Sequence, residues 1–214
     1  MSICGTDLTI VNAARVSFGV HKDEMDDKDK KLIKYLVDHH HTSPFEHCLM
    51  TMRFKVPLFI RSQHHRHRTW SYNEISRRYT DENLEFYEPN EFRSQSKSNR
   101  QASNVNEMIN PLIKVHSFEG GFQEASKVMK NHHQGCIELY EKLMEAGVSR
   151  EQARGILPQN LYTEYYGTVN LSNLFKFIKL REHEGAQWEI VQVAKACKQI
   201  AAKLYPISLE AFGL

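Results

Sequence analysis

Met50, Met52, Phe54 and Val56 alternate with Thr51, Arg53 and Lys55. A period of two is that of a strand with one buried face, and Pro57, which has no N–H to give a ladder, ends it. Leu58–His65 is expected to start a helix directly behind it. Upstream, Leu32, Ile33, Leu36 and Val37 keep helical spacing, predicting a helix from about Asp27 that stops before Ser43-Pro44. Leu8–Val11 predicts a short strand, followed by Ala13–Phe18 (AARVSF) and a charged linker, Lys22–Lys31. Farther on, Phe122, Ala125, Val128, Met129, Cys136, Ile137, Tyr140, Leu143 and Met144 make one stripe of a long helix, entered through a break at Glu119-Gly120-Gly121 and closed by Gly147. Ser149 and Gln152 have capping-box spacing for a short helix that carries Arg154, with Pro158 beyond its end.

Tyr, Thr and Val make Leu161–Asn170 β-prone, and Leu171, Leu174, Phe175 and Ile178 support a helix reaching Arg181. A last helix, about Ala186–Leu204, is expected to bury Trp188, Val191, Ala194, Cys197 and Ala201, with Pro206 stopping it. Between Tyr79 and Pro89 the chain reads as loop, and the polar stretch Asn90–Asn106 reads as a mobile segment or a lid. The sum is a helix-rich α+β chain with a small sheet rather than a regular strand–helix alternation.

The 214 residues suffice for one domain with a real core, and 41% hydrophobic with 25% charged residues is ordinary for a globular protein. A net charge of +2 is too mild to argue for general nucleic-acid binding. Cys4, Cys48, Cys136 and Cys197 form no CxxC pair; each reads as a free, core-type thiol in a reducing compartment. With no signal pattern and no apolar run of spanning length, a cytoplasmic location is expected.

Chemistry concentrates in Arg66–Tyr79, RHRTWSYNEISRRY, where all four cations are arginine. Arginine offers a planar fork of donors to phosphate or carboxylate, and Asn, Glu and Ser among the forks can fix a polar ring or sugar. A salt-bridged polar helix has the same composition, so this stretch alone does not decide. Neither GxGxxG nor a P-loop is present, so side chains and helix ends must hold any nucleotide phosphate. His39, His40, His41, His47, His64, His65 and His67 invite a metal reading, but HExxH and zinc-like Cys/His spacing are missing, and no metal site is expected. Ser71 and Ser76 lie near His67 in sequence without a GxSxG elbow, which leaves no evident nucleophile.

The extended form RHRxxSYNExSxRY resembles the signature of the flavin-dependent thymidylate synthases (ThyX). Similar segments follow in family order: AARVSF, HxxPFEH at His41–His47, LPxNLYT at Leu157–Thr163, TVN at Thr168–Asn170, and LR…AQWEI at Leu180–Ile190. The resemblance covers nearly the whole chain and is weakest around Asn90–Gly121. It implies one ThyX-like catalytic domain over residues 1–214 with a central, mainly antiparallel sheet, assembled as a homotetramer with FAD sites built from several subunits. It implies reductive methylation of dUMP to dTMP, with methylenetetrahydrofolate as carbon donor, NADPH-reduced FAD as hydride source and no cysteine nucleophile. By position, the dUMP-binding segments are Gln63, His64, His65 and Arg66, then Glu74, Ile75, Ser76, Arg77 and Arg78, joined by Arg154 and Arg181. Arg78 would grip the phosphate, Ser76 would be a ligand rather than a nucleophile, and Arg181 would be the catalytic cation that favours loss of the uracil N–H proton. A helix-end charge is the plain alternative for Arg181.

The FAD positions implied are Ser43, Arg66, His67, Arg68, Glu74 and Asn170, with His41, Glu46, Ser17 and Asn73 as further similar positions. A turn at Ser43-Pro44 and a helix N-cap at Asn170 are compatible structural roles. Ser172 stands where the family often has Arg, Lys176 where it has Asn or His, and Gly185 where it has His. These three positions would face the flavin nucleotide, and Lys176 could replace the lost charge. A nucleotide- or RNA-binding homologue that kept the basic groove, interleaved with Trp70, Tyr72 and Tyr79, and lost catalysis remains the alternative.

Overall fold

The computed structural model describes residues 2–80, 84–115 and 121–214, so Glu119 and Gly120 of the expected break lie outside the described residues. The chain gathers into two compact units, one of Met1–Phe54, Gln63–Asn73 and Tyr166–Leu214, the other of Lys55–Ser62 and Glu74–Tyr165. A four-stranded sheet has the order β1-β2-β8-β3, with β1 (Ser2–Cys4), β2 (Leu49–Pro57), β3 (Ser71–Glu74) and β8 (Tyr162–Asn170). β1 pairs antiparallel with β2. The alternation read in β2 is realised, with Met50, Met52, Phe54 and Val56 buried and Arg53 and Lys55 exposed.

In the first unit, Leu8–Val11 is not a strand; it lies in helix α1 (Asp7–Arg15). β-branched Thr9, Ile10 and Val11 suggest a strand locally, but burial of Ile10 and Val11 outweighs that weak preference. Helix α2 (Asp27–Asp38) starts where Asp26 accepts the Lys28 and Asp29 N–H groups at 2.8 and 3.1 Å. It ends through His40, whose φ of 57° puts it in the left-handed position usually given to glycine. The fully buried Asp29 carboxylate binds Arg15 of α1 at 2.6 Å and also Lys22, tying the charged linker to both helices. Helix α7 (Leu171–Arg181) is capped by the Asn170 side chain, which accepts the Asn173 N–H at 2.9 Å. It buries Leu171, Leu174, Phe175, Phe177 and Ile178. Helix α8 (Trp188–Leu204) buries Ile190, Ala194, Cys197 and Ala201 as its stripe requires, but Trp188 at its first turn is exposed, because the buried face begins at Ile190. Pro206 ends α8 and opens α9 (Pro206–Ala211), whose first N–H groups, from Ile207 and Ser208, donate to buried Asp7 at 3.1 Å.

In the second unit, Asn90–Asn106 is not an irregular segment. Strands β4 (Phe92–Gln95) and β5 (Ser103–Ile109) form an antiparallel ribbon with an irregularity between Arg93 and Ser94. Its polar side chains bond across it, Arg93 to Ser103 at 2.9 Å and Ser94 to Glu107 at 2.8 Å, which composition alone does not reveal. Strands β6 (Leu112–Lys114) and β7 (Phe122–Glu124) pair likewise, so Phe122 belongs to a strand and is exposed instead of starting the helical stripe. Helix α5 (Ala125–Glu145) follows, and Gly147, with φ 84°, lies just past its end. Of its stripe only Tyr140 is fully buried; Val128, Met129, Cys136, Ile137, Leu143 and Met144 are half-buried. Helix α6 (Arg150–Ala153) forms without the expected box, since the Ser149 hydroxyl faces the Gln152 side chain at 3.4 Å rather than a backbone N–H.

Candidate functional site

Pro57 ends β2 and leads at once into helix α4 (Leu58–His64), which delivers the chain to the Arg66-His67-Arg68 turn. The His67 N–H donates to the His64 carbonyl at 3.0 Å, and the Tyr72 hydroxyl reaches the carbonyls of His64 and His67 at 2.8 and 3.2 Å. The His64 ring lies wholly buried among Phe54, Trp70, Tyr72 and Phe177. That burial, helped by neighbouring His67, pushes its pKa down to about 3, so it is a neutral packing ring beneath the turn. Gly167 on β8 makes this packing possible, because a Cβ there would meet Phe54 at 3.0 Å and Trp70 at 3.2 Å.

With its base fixed, the turn presents Arg66 and Arg68 to a cleft of about 570 Å³, walled on α7 by Asn173, Lys176, Phe177 and Leu180. No carboxylate lines it, and no ion-pair partner is found for Arg66, Arg68 or Lys176 among the described residues. Some lysines elsewhere are matched: Lys22 with Asp26, Lys55 with Glu85, Lys198 with Glu182. Three exposed cations on one cleft with no carboxylate lining it suit an anion. Arg181, at the end of α7, donates from Nε to His67 Nε2 at 3.0 Å. Burial and the Arg66 charge lower the pKa of Arg181, and burial with the Arg181 charge lowers that of His67.

The second unit carries its own cleft of about 530 Å³, lined among others by Arg61, Glu74, Ser76, Arg77, Arg154 and Gly155. Glu74 is fixed there, accepting from Arg61 Nε at 3.1 Å and from the Thr163 hydroxyl at 2.6 Å. Ser76 opens a tight turn: its carbonyl accepts the Tyr79 N–H at 3.0 Å and its hydroxyl the Arg78 N–H at 3.3 Å. This turn puts Arg77 on the cleft, whereas Arg78 pairs with Glu151 at 3.6 Å. Three arginines against one carboxylate again describe an anion-binding surface.

The remaining sequence-indicated residues are dispersed. Ser172 is fully buried with its hydroxyl unpartnered, and so does not face a cleft; the second position of α7 points into the core. The Asn170 side chain is occupied as the α7 cap. Gln63 bonds Gln187, and His65 stacks on Tyr72 at 4.0 Å. Ser17, His41, Ser43, Glu46 and Asn73 are exposed and line neither cleft, whereas exposed Ile75 lies on the second. Among the cysteines, Cys48 and Cys197 are buried as read, but Cys4 is exposed at the β1 edge and Cys136 half-buried.

A family model described as thymidylate synthase complementing protein matches residues 2–207. The chain belongs to this family. Among relatives in it, a flavin-dependent thymidylate synthase of Thermus thermophilus is 44% identical over 97% of this chain and 72% of its own length. One of Thermotoga neapolitana is 41% identical over 99% of this chain and 88% of its own. Among solved structures, the crystal structure of a UMP/dUMP methylase, PolB, from Streptomyces cacaoi bound with 5-Br dUMP is similar at TM-score 0.78 and 31% identity, over all of this chain and 92% of that one. Family membership bears out the family resemblance read from the sequence, and the helix-rich α+β fold with small antiparallel sheets bears out the fold class. Sequence reasoning missed Thr69, Asn173 and Leu180 on the first cleft and Arg61 and Thr163 in the second. Asn173, Lys176 and Leu180 stand three and four apart on α7, so helical spacing from Lys176 would have found two of them.

Proposed function

We propose that this chain is one ThyX-like catalytic domain that converts dUMP to dTMP, with methylenetetrahydrofolate as carbon donor and NADPH-reduced FAD as hydride source. The observation that carries this reading is the first cleft, where Arg66, Arg68 and Lys176 stand without counter-charge among the described residues, beside apolar Phe177 and Leu180. That set fits a dinucleotide flavin: the cations suit its diphosphate and the apolar wall suits a planar ring. Bound FAD supplies the redox chemistry. In the second unit, Arg77 and Arg154 bind the dUMP phosphate with the Ser76 hydroxyl, and Glu74, held by Arg61 and Thr163, accepts from the nucleoside. With active sites shared among copies of the chain, Arg181 of the first unit stabilises the uracil anion as the ring N–H proton leaves, making the ring a better nucleophile.

No thiol takes part. Burial pushes the thiols of Cys48 and Cys197 up to about 12, so both stay protonated and unreactive at neutral pH. Exposed Leu112, Phe122 and Leu139 in the second unit suit burial between copies in a homotetramer, with FAD sites built from several of them. No helix among the described residues is long and apolar enough to cross a membrane, which is compatible with a cytoplasmic enzyme. Tritium release from ring-labelled dUMP tests the function: release with FAD, folate and NADPH, and loss in Arg181→Ala with flavin retained, is the expected result. Salt-steep RNA binding without flavin or tritium release would favour the non-catalytic nucleic-acid reading.

A further inference from the structure

The contact between Arg181 and His67 joins residues 114 positions apart and pairs two groups that would both be cations if His67 were protonated. The Arg181 Nε–H can only donate, so His67 Nε2 must be unprotonated and the ring proton must sit on Nδ1. The ring is braced edge-on against Phe177 of α7 with centroids 4.9 Å apart, and its backbone carbonyl is held by Tyr72. With Nε spent on this bond, the two Nη groups of Arg181 are left to meet substrate.

We propose that His67 is a positioning residue for Arg181, holding the guanidinium in place only as a neutral imidazole and releasing it on protonation. The proposal rests on the assignment of Arg181 to the uracil anion made above. The groups around His67 favour this sense. Arg181 and Lys176 come from α7, Arg66 and Arg68 from the turn itself, neutral His64 from α4 below, and the adjoining cleft has no carboxylate to stabilise a protonated ring. Burial and the Arg181 charge lower the pKa of His67 accordingly. When pH falls below the ordinary histidine range, the ring gains a proton, loses its acceptor and repels the arginine it had oriented.

The test is the pH dependence of dUMP binding to the FAD-loaded enzyme, read by calorimetry from about pH 5 to about pH 8, in wild type and His67→Gln. A glutamine carbonyl can accept the Arg181 Nε–H but does not titrate. The second ionisation of the dUMP phosphate, near about 6, is common to both proteins. Wild-type affinity is therefore expected to fall on the acid side by up to roughly a further tenfold per pH unit beyond that shared loss, whereas His67→Gln shows the shared loss alone, whatever its absolute affinity. Superimposable acid limbs would overturn the proposal. A second readout is independent of ligand: in Arg181→Leu, the His67 ring followed by NMR should titrate at higher pH than in wild type, and an unmoved titration also overturns it. If Arg181→Ala binds dUMP and turns over like wild type, the assignment of Arg181 fails instead, which is a separate outcome.

Discussion

Lys176 is proposed to offset a departure elsewhere. Ser172, which resemblance placed at the flavin, is sealed in the core, so no charge is available at that position. Lys176, one turn along α7, reaches the cleft with no carboxylate partner among the described residues. Lys176→Ala is expected to weaken FAD binding about tenfold, worth ~1.4 kcal/mol, and to leave riboflavin, which lacks phosphate, unaffected. Fluorescence titration with both flavins checks this; equal losses would mean that Lys176 does not act on phosphate. The thiols make the opposite case. Replacing Cys4, Cys48, Cys136 and Cys197 with Ala or Ser is expected to retain tritium release in any variant that folds. Loss of release in a well-folded protein lacking one thiol would reopen a covalent mechanism. Burial of Cys48 and Cys197 is why the cost of those two changes should appear in stability, through lost packing.

At the scale of elements, α1 and α2 are clasped through Asp29. Burial pushes the Asp29 carboxyl up, but hydrogen bonds from Lys22, the Asp26 backbone and Arg15 outweigh it and hold the pKa at about 2. A carboxyl held below its unfolded value contributes stability above that value and loses it as pH falls toward the folded one. The clasp therefore works above about pH 4 and fades between about 4 and 2. Asp29→Asn is expected to lower the unfolding free energy from urea titration at neutral pH by on the order of 1 kcal/mol, and to flatten the wild-type fall in stability over that acid window. A variant with wild-type acid sensitivity would count against the clasp. Elements with a continuous stripe, such as α7 and β2, were legible in the sequence because one face of each is buried along its length. The β4–β5 ribbon was not: its partners are polar side chains across the strands, and composition records polarity but not pairing.

For the whole molecule, a homotetramer should sediment at about 100 kDa, four times 25.0 kDa, and flavin should dissociate as dilution breaks the assembly. A monomer that retained flavin and full turnover would rule out sites shared among copies. The chain by itself determined the family, the α+β class and, to within a residue or two, the bounds of β2, α4, β8 and α7, because caps, proline stops and hydrophobic periods act over a few residues. It also marked the Arg66–Tyr79 segment, whose arginines have no local reason to be so dense. Tertiary structure alone made Leu8–Val11 a helix and sealed Ser172 in the core. It also set Arg77 rather than Arg78 on a cleft, and brought Arg181 to His67. Each of those outcomes depends on partners far away in sequence, and local pattern encodes which face a residue occupies but not what will be opposite it.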